Sequence, residues 1–446
     1  MTSPPRVVVI GDLEATRLLC TLLTEEGAET IHLLAPDEES LRAAFADTVA
    51  GVAVIVRGDV VALRYALLAE NLQPAVPMVV TVFDRTIGQQ LASVVPNCTV
   101  TSPADVAAPA VVAACIHPTA LAVLGGGTPG SAVVDRDGVA VESPWHPDRP
   151  RPADRLARWA PHRYGGAEGL LVAGLLGLTA IIAIEWALAV LVLHEGLLDA
   201  LYASTRLVAT VGPADASAHG APGWYLVVSA LLMLTGIGFT GALVAGLVEW
   251  IVSARTASFV GPRSIPRSHH VVVAGLGQVG LRVGQLLREL LVPCVVVERS
   301  AGAQNLPQAR TSRLPVVIGD AADPAVLHRV GVTRARALAA LGSDDLDNVA
   351  VVISALALSP GVQTVLRAGE DPAVEETTSL FRIGRVVDVS AMTAAWVCAS
   401  VRSEQPVVAY THAGMVGVLT AQGDRRRPAP TRCRCDRYPR GYSGVD

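Results

Sequence analysis

Residues 271–280 read VVVAGLGQVG, an apolar run that ends in a glycine-rich turn. A short, continuous apolar run bounded by glycine is typical of a buried strand, and the apolar residues after the turn return at helical spacing. Gly275, Gly277 and Gly280 therefore stand where a strand ends and a helix begins. A second apolar run follows at residues 294–298, so this stretch predicts the strand–helix–strand opening of a parallel sheet.

The same pattern occurs a second time near the start of the sequence. Residues 7–11, VVVIG, match residues 271–275 at a shift of 264 positions (275 minus 11), and the same shift aligns the next apolar runs. Strand-like runs continue after each opening, which indicates two copies of one domain. The predicted fold class is α/β: two doubly wound, Rossmann-like domains that flank an α-helical hairpin.

The predicted hairpin consists of two long apolar stretches, residues 169–193 and 224–252. The chain is 51% hydrophobic with a mean hydropathy of +0.45, and each stretch exceeds the roughly 20 residues that cross a bilayer. Arginines cluster before the first stretch and after the second, with only Arg206 between them, so both termini are predicted to face the cytosol. Glu185 lies within the first stretch, and its role stays open because such a carboxylate faces protein, water or a partner.

Composition argues against one class of partner, and prolines and charged residues mark the boundaries between the parts of the chain. The net charge of −5 and the pI of about 6.1 argue against a nucleic-acid partner, because phosphate binding needs a concentrated basic face. Proline and charge mark the linkers, and periodicity is lost near the end. The predicted parts are a degenerate first copy at 1–142, a basic, proline-rich linker at 143–165, a membrane module at 166–254, a linker at 255–268, a second copy at 269–400 and a disordered tail at 401–446.

The glycine turn of the second copy predicts a nucleotide site. The first glycine permits the tight turn, the second lets a pyrophosphate approach the backbone, and the third allows close helix packing at a helix N-terminus that favours anions. Glu298 ends the next strand, where a carboxylate accepts hydrogen bonds from ribose hydroxyls. A carboxylate repels a 2′-phosphate, so NAD(H) or another adenine nucleotide is favoured over NADP, although Arg299 adds a positive charge next to it.

The first copy lacks these features. Leu13, Thr16 and Leu34 stand where the second copy has its middle glycine, its last glycine and its carboxylate. The segment around residues 317–320 also has no counterpart there, because 18 residues separate Leu34 from Ala53, against 39 between Glu298 and Leu338. The first copy is therefore predicted to be a structural or oligomerising domain that binds no nucleotide.

The second copy resembles the regulator-of-potassium-conductance (TrkA-N) domain over residues 269–390. The resemblance rests on the glycine turn, on Glu298, on VIGDA at 317–321 and on LGSDDLDN at 341–348. It implies a ligand-controlled domain of a potassium channel or transporter, with residues 319–321 at the adenosine end of the site. The predicted cofactor contacts are Gly275, Gly277, Gln278, Val279, Gly280, Glu298, Arg299, Gly319, Asp320, Ala321, Gly342 and Ser343.

The loop at residues 197–216 resembles the pore helix and selectivity filter of two-transmembrane potassium channels. Residues 210–215 read TVGPAD and match four of the six positions of the filter sequence TVGYGD. The resemblance implies that backbone carbonyls of Thr210, Val211 and Gly212 hold K⁺ between the four subunits of a homotetramer in the lipid bilayer. The predicted filter is Thr210, Val211, Gly212, Pro213 and Ala214.

Two functions of different class follow from these features. The leading hypothesis is a potassium-type channel of the cell membrane that is gated by an adenine nucleotide and has no enzymatic activity. The alternative is a non-conducting nucleotide sensor, or a regulatory subunit of a potassium transporter, because Pro213 and Ala214 depart from the filter sequence and Arg206 places a cation behind it. An oxidoreductase ranks last, since no catalytic constellation accompanies the glycine turn.

Overall fold

The computed structural model describes residues 4–117, 119–124, 130–136, 139–145, 166–208, 220–256, 259–260, 268–368 and 384–428. The chain divides into two compact units. One comprises Met1–Arg151 and Phe259–Asp446 and holds both predicted α/β copies, whereas Pro152–Ser258 is the other.

The first copy is a parallel, five-stranded sheet in the order β2-β1-β3-β4-β5. Its strands are covered by helices on both faces; β3 and β4 are buried along their length and β1 is buried after its first residue, as expected of a parallel sheet. The elements are β1 (Arg6–Ile10), α1 (Glu14–Glu25), β2 (Glu29–Leu33), α2 (Glu38–Ala44), β3 (Gly51–Val54), α3 (Asp59–Leu72), β4 (Met78–Thr81), α4 (Arg85–Val94), β5 (Cys98–Thr101) and α5 (Pro103–Ile116).

The second copy repeats this order and extends it. Its sheet runs β15-β14-β13-β10-β11-β12-β9, parallel throughout except for β9. In the described part of the first copy, β2 is the edge strand where the second copy continues into β12, so the predicted loss of that segment is confirmed. The elements are β9 (Phe259–Val260), β10 (Val271–Ala274), β11 (Cys294–Glu298), β12 (Val316–Ile318), β13 (Ala337–Ala340), β14 (Gln363–Ala368) and β15 (Arg385–Asp388).

The helices of the second copy are named in the same way. They are α9 (Gln278–Glu289), α10 (Leu306–Thr311), α11 (Pro324–Arg329), α12 (Asp345–Leu358) and α13 (Val389–Val401). The labels α6 (Gly166–Val192), α7 (Leu197–Val208) and α8 (Gly223–Thr256) belong to the second compact unit. The two parallel sheets with their helices confirm the predicted α/β fold class.

The two copies pack on each other through equivalent helices. Helix α1 contacts α13, and α5 contacts α9, so the first helix of each copy meets the last helix of the other. Both last helices are apolar on all sides and buried, which is what a helix enclosed between two sheets requires. One apolar cluster accordingly contains residues of both copies.

Arg282 on α9 of the second copy contacts two residues of the first copy. Its Nη2 donates to the carbonyl of Phe83 at 2.7 Å, and its guanidinium carbon lies 4.7 Å from the centre of the Phe83 ring. Its Nε lies 3.0 Å from Asp105 Oδ1, an ion pair without hydrogen-bond alignment. Because Arg282 is 8% exposed, this contact is shielded from water.

We expect Arg282→Ala to lower stability by about 2 kcal/mol, because it removes the donor to the partly buried carbonyl of Phe83 and the contact with its ring. Arg85→Ala is the matched control, since Arg85 pairs with the same carboxylate at 3.5 Å but is 64% exposed. An exposed pair contributes about 0–1 kcal/mol. Thermal unfolding of the purified full chain measures both, and equal midpoints for the two variants would contradict the assigned role of Arg282.

A small antiparallel sheet follows the last helix of each copy. The first consists of β6 (Ala120–Leu124), β7 (Gly130–Arg136) and β8 (Val139–Trp145), and the second of β16 (Pro406–His412), β17 (Met415–Thr420) and β18 (Gly423–Pro428). They contact each other: Ala140 N donates to Asp424 Oδ2 at 2.8 Å, and Arg426 Nη2 lies 2.7 Å from Asp135 Oδ1.

The prediction of a disordered tail from residue 401 is wrong for β16 to β18. Three consecutive arginines at 425–427 suggested a solvated segment, but each finds an acidic partner that is distant in sequence or lies across the sheet. Arg425 pairs with Glu404 at 2.9 Å, Arg426 with Asp135, and Arg427 with Glu26. Residues 429–446 lie outside the described part.

The membrane unit is described separately. It contains α6 (Gly166–Val192), α7 (Leu197–Val208) and α8 (Gly223–Thr256). The segments Leu170–Val192 and Gly223–Val248 are long and apolar enough to cross a bilayer, and only 17% and 11% of their most apolar windows are buried within the protein. A buried core helix would hide most of its side chains, so the low burial favours membrane spans.

Glu185 on α6 faces α8. Its Oε1 accepts hydrogen bonds from the hydroxyl of Tyr225 at 2.7 Å and from that of Ser229 at 3.0 Å, and the residue is 3% exposed. The carboxylate is therefore enclosed by protein instead of lipid, one of the settings expected for a charge within a span. Helix α7 occupies the place of the predicted pore helix, whereas the predicted filter, residues 210–214, lies outside the described residues.

Candidate nucleotide site

The carboxyl ends of both parallel sheets open onto one cavity of about 780 Å³. One wall consists of loops that follow β10, β11, β12 and β13 of the second copy. The opposite wall consists of loops that follow β3 and β4, and of the N-termini of α1 and α5, of the first copy. In open parallel sheets ligands bind outside the carboxyl ends of the strands, and the volume lies within the roughly 300–1,000 Å³ of ligand pockets.

The three glycines of the turn have different surroundings. Gly275 has a φ of +98°, a conformation that favours glycine. A Cβ atom on Gly277 would meet nothing within 4 Å, so the space in front of the N-terminus of α9 is open. A Cβ atom on Gly280 would lie 1.9 Å from the carbonyl oxygen of Gly275. These surroundings agree with a tight turn, an open approach and a close helix contact; that a pyrophosphate fills the open space stays a prediction.

Glu298 stabilises the glycine turn by hydrogen bonds and also faces the cavity. Its Oε2 accepts a hydrogen bond from the amide of Leu276 at 2.8 Å, and its Oε1 accepts one from Ser300 N at 2.9 Å. Asn305, which the sequence analysis did not select, donates to the carbonyl of Leu276 at 2.9 Å. The peptide groups on both sides of Leu276 are thus fixed, and the carboxylate keeps free lone pairs for hydroxyl donors.

Arg299 forms ion pairs with two carboxylates. Its Nε lies 3.4 Å from Asp320 Oδ2, and its Nη1 lies 3.1 Å from Asp347 Oδ2. Asp320 and then Asp347 raise the pKa of Arg299. The positive charge that the sequence placed beside Glu298 is therefore already balanced, which weakens its case as a partner for a 2′-phosphate.

The loop after β13 is held by two residues that the sequence analysis did not assign to the site. The amide of Gly342 donates to Asn348 Oδ1 at 2.7 Å, and Asn348 Nδ2 donates back to the carbonyl of Gly342 at 3.1 Å. Arg367 Nη1 donates to the same carbonyl at 3.3 Å. Asn348 closes the motif quoted for the resemblance, so the signal was present; Arg367, from β14, joins only through the tertiary structure.

The structure brings the predicted contacts together. Gly280 lies behind the turn against Gly275, and the other eleven line the cavity: Gly275, Gly277, Gln278, Val279, Glu298, Arg299, Gly319, Asp320, Ala321, Gly342 and Ser343. Which of them touch a ligand stays a prediction.

Residues of the first copy form the second wall of the cavity, and the sequence analysis assigned none of them to the site. They include Glu14, Arg57, Phe83 and Ser102. In the first copy, the turn that corresponds to the glycine turn is occupied by a side chain. The hydroxyl of Thr16 donates to the carbonyl of Gly11 there, at 3.2 Å. The first copy therefore lines the cavity beside the glycine turn of the second copy, although its own motif is lost.

Asp388 lies at the end of β15, where Oδ1 accepts a hydrogen bond from Ala391 N at 2.8 Å and caps α13. Its pKa is raised to about 6, chiefly by burial; hydrogen bonds from the amides of Ala391 and Ser390 oppose the rise, and the charges of Asp345 and Glu14 add to it. Since the folded pKa lies above that of the unfolded chain, about 3.9, the native state binds more protons between these values. Its contribution to stability is therefore favourable near pH 4 and is lost as the pH rises to about 6.

We expect Asp388→Asn to raise the unfolding midpoint at pH 8 and to leave it near the wild-type value at pH 4. The gain is at most about 3 kcal/mol, because asparagine also caps a helix but carries no charge. Asp37→Asn is the control: Asp37 caps α2 through Ser40 N, and this hydrogen bond lowers the pKa of its carboxyl, so no gain is expected. If both variants shift the unfolding midpoint by the same amount at both pH values, this expectation is contradicted.

These features define a Rossmann-like α/β domain with a cavity at the carboxyl ends of its strands. Residues 271–387 match the family model of the TrkA-N domain, so the chain carries a TrkA-N domain and the predicted resemblance is confirmed.

Two relatives of this chain have names that refer to potassium transport. Probable potassium channel protein 2 of Methanocaldococcus jannaschii is 23% identical over 218 residues, which are 46% of this chain and 61% of that protein. K(+) efflux antiporter 2, chloroplastic, of Arabidopsis thaliana is 31% identical over 145 residues, which are 32% of this chain and 12% of that protein. The chain thus spans about three fifths of the length of the channel relative.

A solved structure shares the fold. The structure named GsuK Channel matches with a TM-score of 0.50 and 14% identity, and the match covers 90% of this chain and 64% of that chain. This similarity confirms the predicted fold class, in which Rossmann-like domains accompany an α-helical hairpin.

Proposed function

We propose that the protein is a subunit of a potassium-type cation channel whose conductance is controlled by an adenine nucleotide. The observation that carries the proposal is the cavity over the glycine turn of a TrkA-N domain, in a chain that also contains two helices of membrane-spanning length around α7. Similarity to a potassium channel protein supports the same reading. The named relatives are a channel and an antiporter, so no enzymatic step is proposed.

The proposed ligand is NAD(H) or another adenine nucleotide with an unmodified ribose. Glu298 offers a carboxylate to ribose hydroxyls, and the open space at Gly277 lies at a helix N-terminus, where phosphate is favoured. NADP is disfavoured because Arg299, the cation beside Glu298, is already paired with Asp320 and Asp347.

The proposed assembly is a homotetramer in the cell membrane with both termini in the cytosol. Four copies of residues 210–212 would surround K⁺ with backbone carbonyls in place of its hydration shell. A nucleotide changes conductance only if its affinity differs between the open and closed states. A nucleotide bound between the two copies would have different affinities for the two states if channel opening changes the contact between the copies.

A non-conducting sensor, or a regulatory subunit of a transporter, is the second candidate. Pro213 and Ala214 favour it, because proline removes an amide donor and alanine resists the positive φ that glycine adopts. The similarity to an antiporter over 145 residues also supports it.

Ion flux distinguishes the two candidates. The purified full chain is reconstituted in liposomes, and K⁺ and Na⁺ efflux is recorded with and without ATP, ADP and NADH, beside a Thr210→Ala variant. A channel gives nucleotide-dependent flux in the wild type and altered selectivity in the variant. Nucleotide binding without flux would support the sensor, and equal flux in both proteins would count against a working filter.

A further inference from the structure

We infer that Arg57 of the first copy binds the phosphates of the nucleotide held by the second copy, so that the site is shared between both copies and selects ligands with two or more phosphates. This inference rests on the proposed function, because it concerns the same cavity. It assigns a binding role to the domain that has lost its own nucleotide motif.

The position of Arg57 follows from the equivalence of the two sheets. Val54 ends β3 beside Ile10 of β1, just as Ala340 ends β13 beside Ala274 of β10. Arg57 lies three residues beyond Val54 (57 minus 54), as Ser343 lies three residues beyond Ala340 (343 minus 340). Both residues line the same cavity from opposite walls, so Arg57 faces the side on which the glycine turn lies.

The charges of the cavity leave one arginine available. Arg57, Arg299 and Arg367 line it, but Arg299 pairs with two carboxylates and Arg367 donates to the carbonyl of Gly342. Arg57 is exposed, and within the described residues it has neither an ion pair nor a hydrogen bond. A guanidinium in this state can form charge-assisted, bidentate hydrogen bonds with phosphate oxygens.

Acidic side chains outnumber basic ones in the cavity. Six line it, namely Glu14, Asp59, Glu298, Asp320, Asp344 and Asp347, against three arginines. Asp59 does not balance Arg57, because its two oxygens accept hydrogen bonds from Phe83 N and Asp84 N at 2.9 and 2.8 Å. A helix N-terminus alone contributes roughly half a charge, so a further positive group would strengthen the binding of a diphosphate in this setting.

The first copy is suited to this role because it cannot hold a nucleotide of its own. Leu13 occupies the position of Gly277 and packs against the shared apolar cluster. One chain should therefore bind one nucleotide, with the second copy holding the base and ribose and the first copy contacting the phosphates.

The test compares ligands that differ only in phosphate. Binding of adenosine, AMP, ADP and ATP to the full chain in nanodiscs is measured by calorimetry for wild type, Arg57→Gln and Arg57→Lys. Arg57→Gln should weaken ADP and ATP about tenfold or more and leave adenosine unchanged, since hydrogen bonds to charged groups are the strong ones. Arg57→Lys should restore part of the loss. Arg64→Gln, an exposed arginine of α3 outside the cavity, should bind every ligand as wild type does.

The outcomes separate this inference from the function on which it rests. If ADP binds wild type and Arg57→Gln equally, the inference fails while nucleotide binding stands. If Arg57→Gln weakens adenosine as much as ADP, the phosphate contact is also refuted. If the wild type binds none of these ligands and no NADH either, the proposed function and this inference fail together.

Discussion

Gly277→Asp should abolish nucleotide binding and leave the fold intact. The substitution is sterically free, because a Cβ atom would meet nothing within 4 Å and the φ of −66° suits any residue. Aspartate at this position would cap α9 and place its carboxylate in the space where a phosphate is expected. Ligand and side chain then compete for the same donors and repel each other. We expect affinity to fall more than about 100-fold, or about 2.7 kcal/mol.

The control for this variant is Gly361→Asp. Gly361 lies in the turn before β14, at the opposite end of the sheet, and a Cβ atom there would also meet nothing within 4 Å. Calorimetry with ADP and a thermal melt on both variants measure affinity and fold together. Wild-type affinity in Gly277→Asp would show that the glycine turn does not hold the phosphates.

Gly280→Ala should destabilise the second copy, although it lies only three positions away. The added Cβ atom would stand 1.9 Å from the carbonyl oxygen of Gly275, and that atom belongs to the backbone, which cannot move aside as a side chain does. Relief requires α9 to shift away from β10. Overpacking of this kind costs about 1–3 kcal/mol, and the upper end is expected here because the obstacle is main chain.

Thermal unfolding of Gly280→Ala and of Gly277→Ala compares the two glycines with one chemical change. Alanine at 277 should leave the midpoint close to wild type, because its Cβ atom has open space. Similar melting behaviour of both variants would contradict the close contact between α9 and the turn.

Much of the second copy could be predicted from sequence because its signals are local. An apolar strand, a glycine turn and an amphipathic helix are determined by neighbouring residues, and the missing counterpart of β12 was visible as a shorter spacing. The pairing of the copies could not be predicted in this way, because it arises from contacts between α1, α5, α9 and α13 across the chain. The apolar character of α5 and α13 on all sides was the available sign.

The disordered-tail prediction was wrong for a related reason. A run of arginines at 425–427 is typical of a solvated segment when its partners are unknown. Glu26, Asp135 and Glu404, which pair with these arginines, lie in other parts of the sequence. For the same reason, Arg57 could not be assigned to the site from the sequence. Its domain has no nucleotide motif, and only the tertiary structure shows that its loop faces the cavity.

Nucleotide-dependent K⁺ flux in matched liposomes tests the central claim most directly. Wild type and Gly277→Asp are reconstituted at equal density, and flux is recorded over a range of ADP and NADH concentrations. The account predicts that flux in the wild type changes with nucleotide, with a midpoint near the measured Kd, and that flux in Gly277→Asp stays constant. An equal response of both proteins, or no flux from correctly folded wild type, would contradict it.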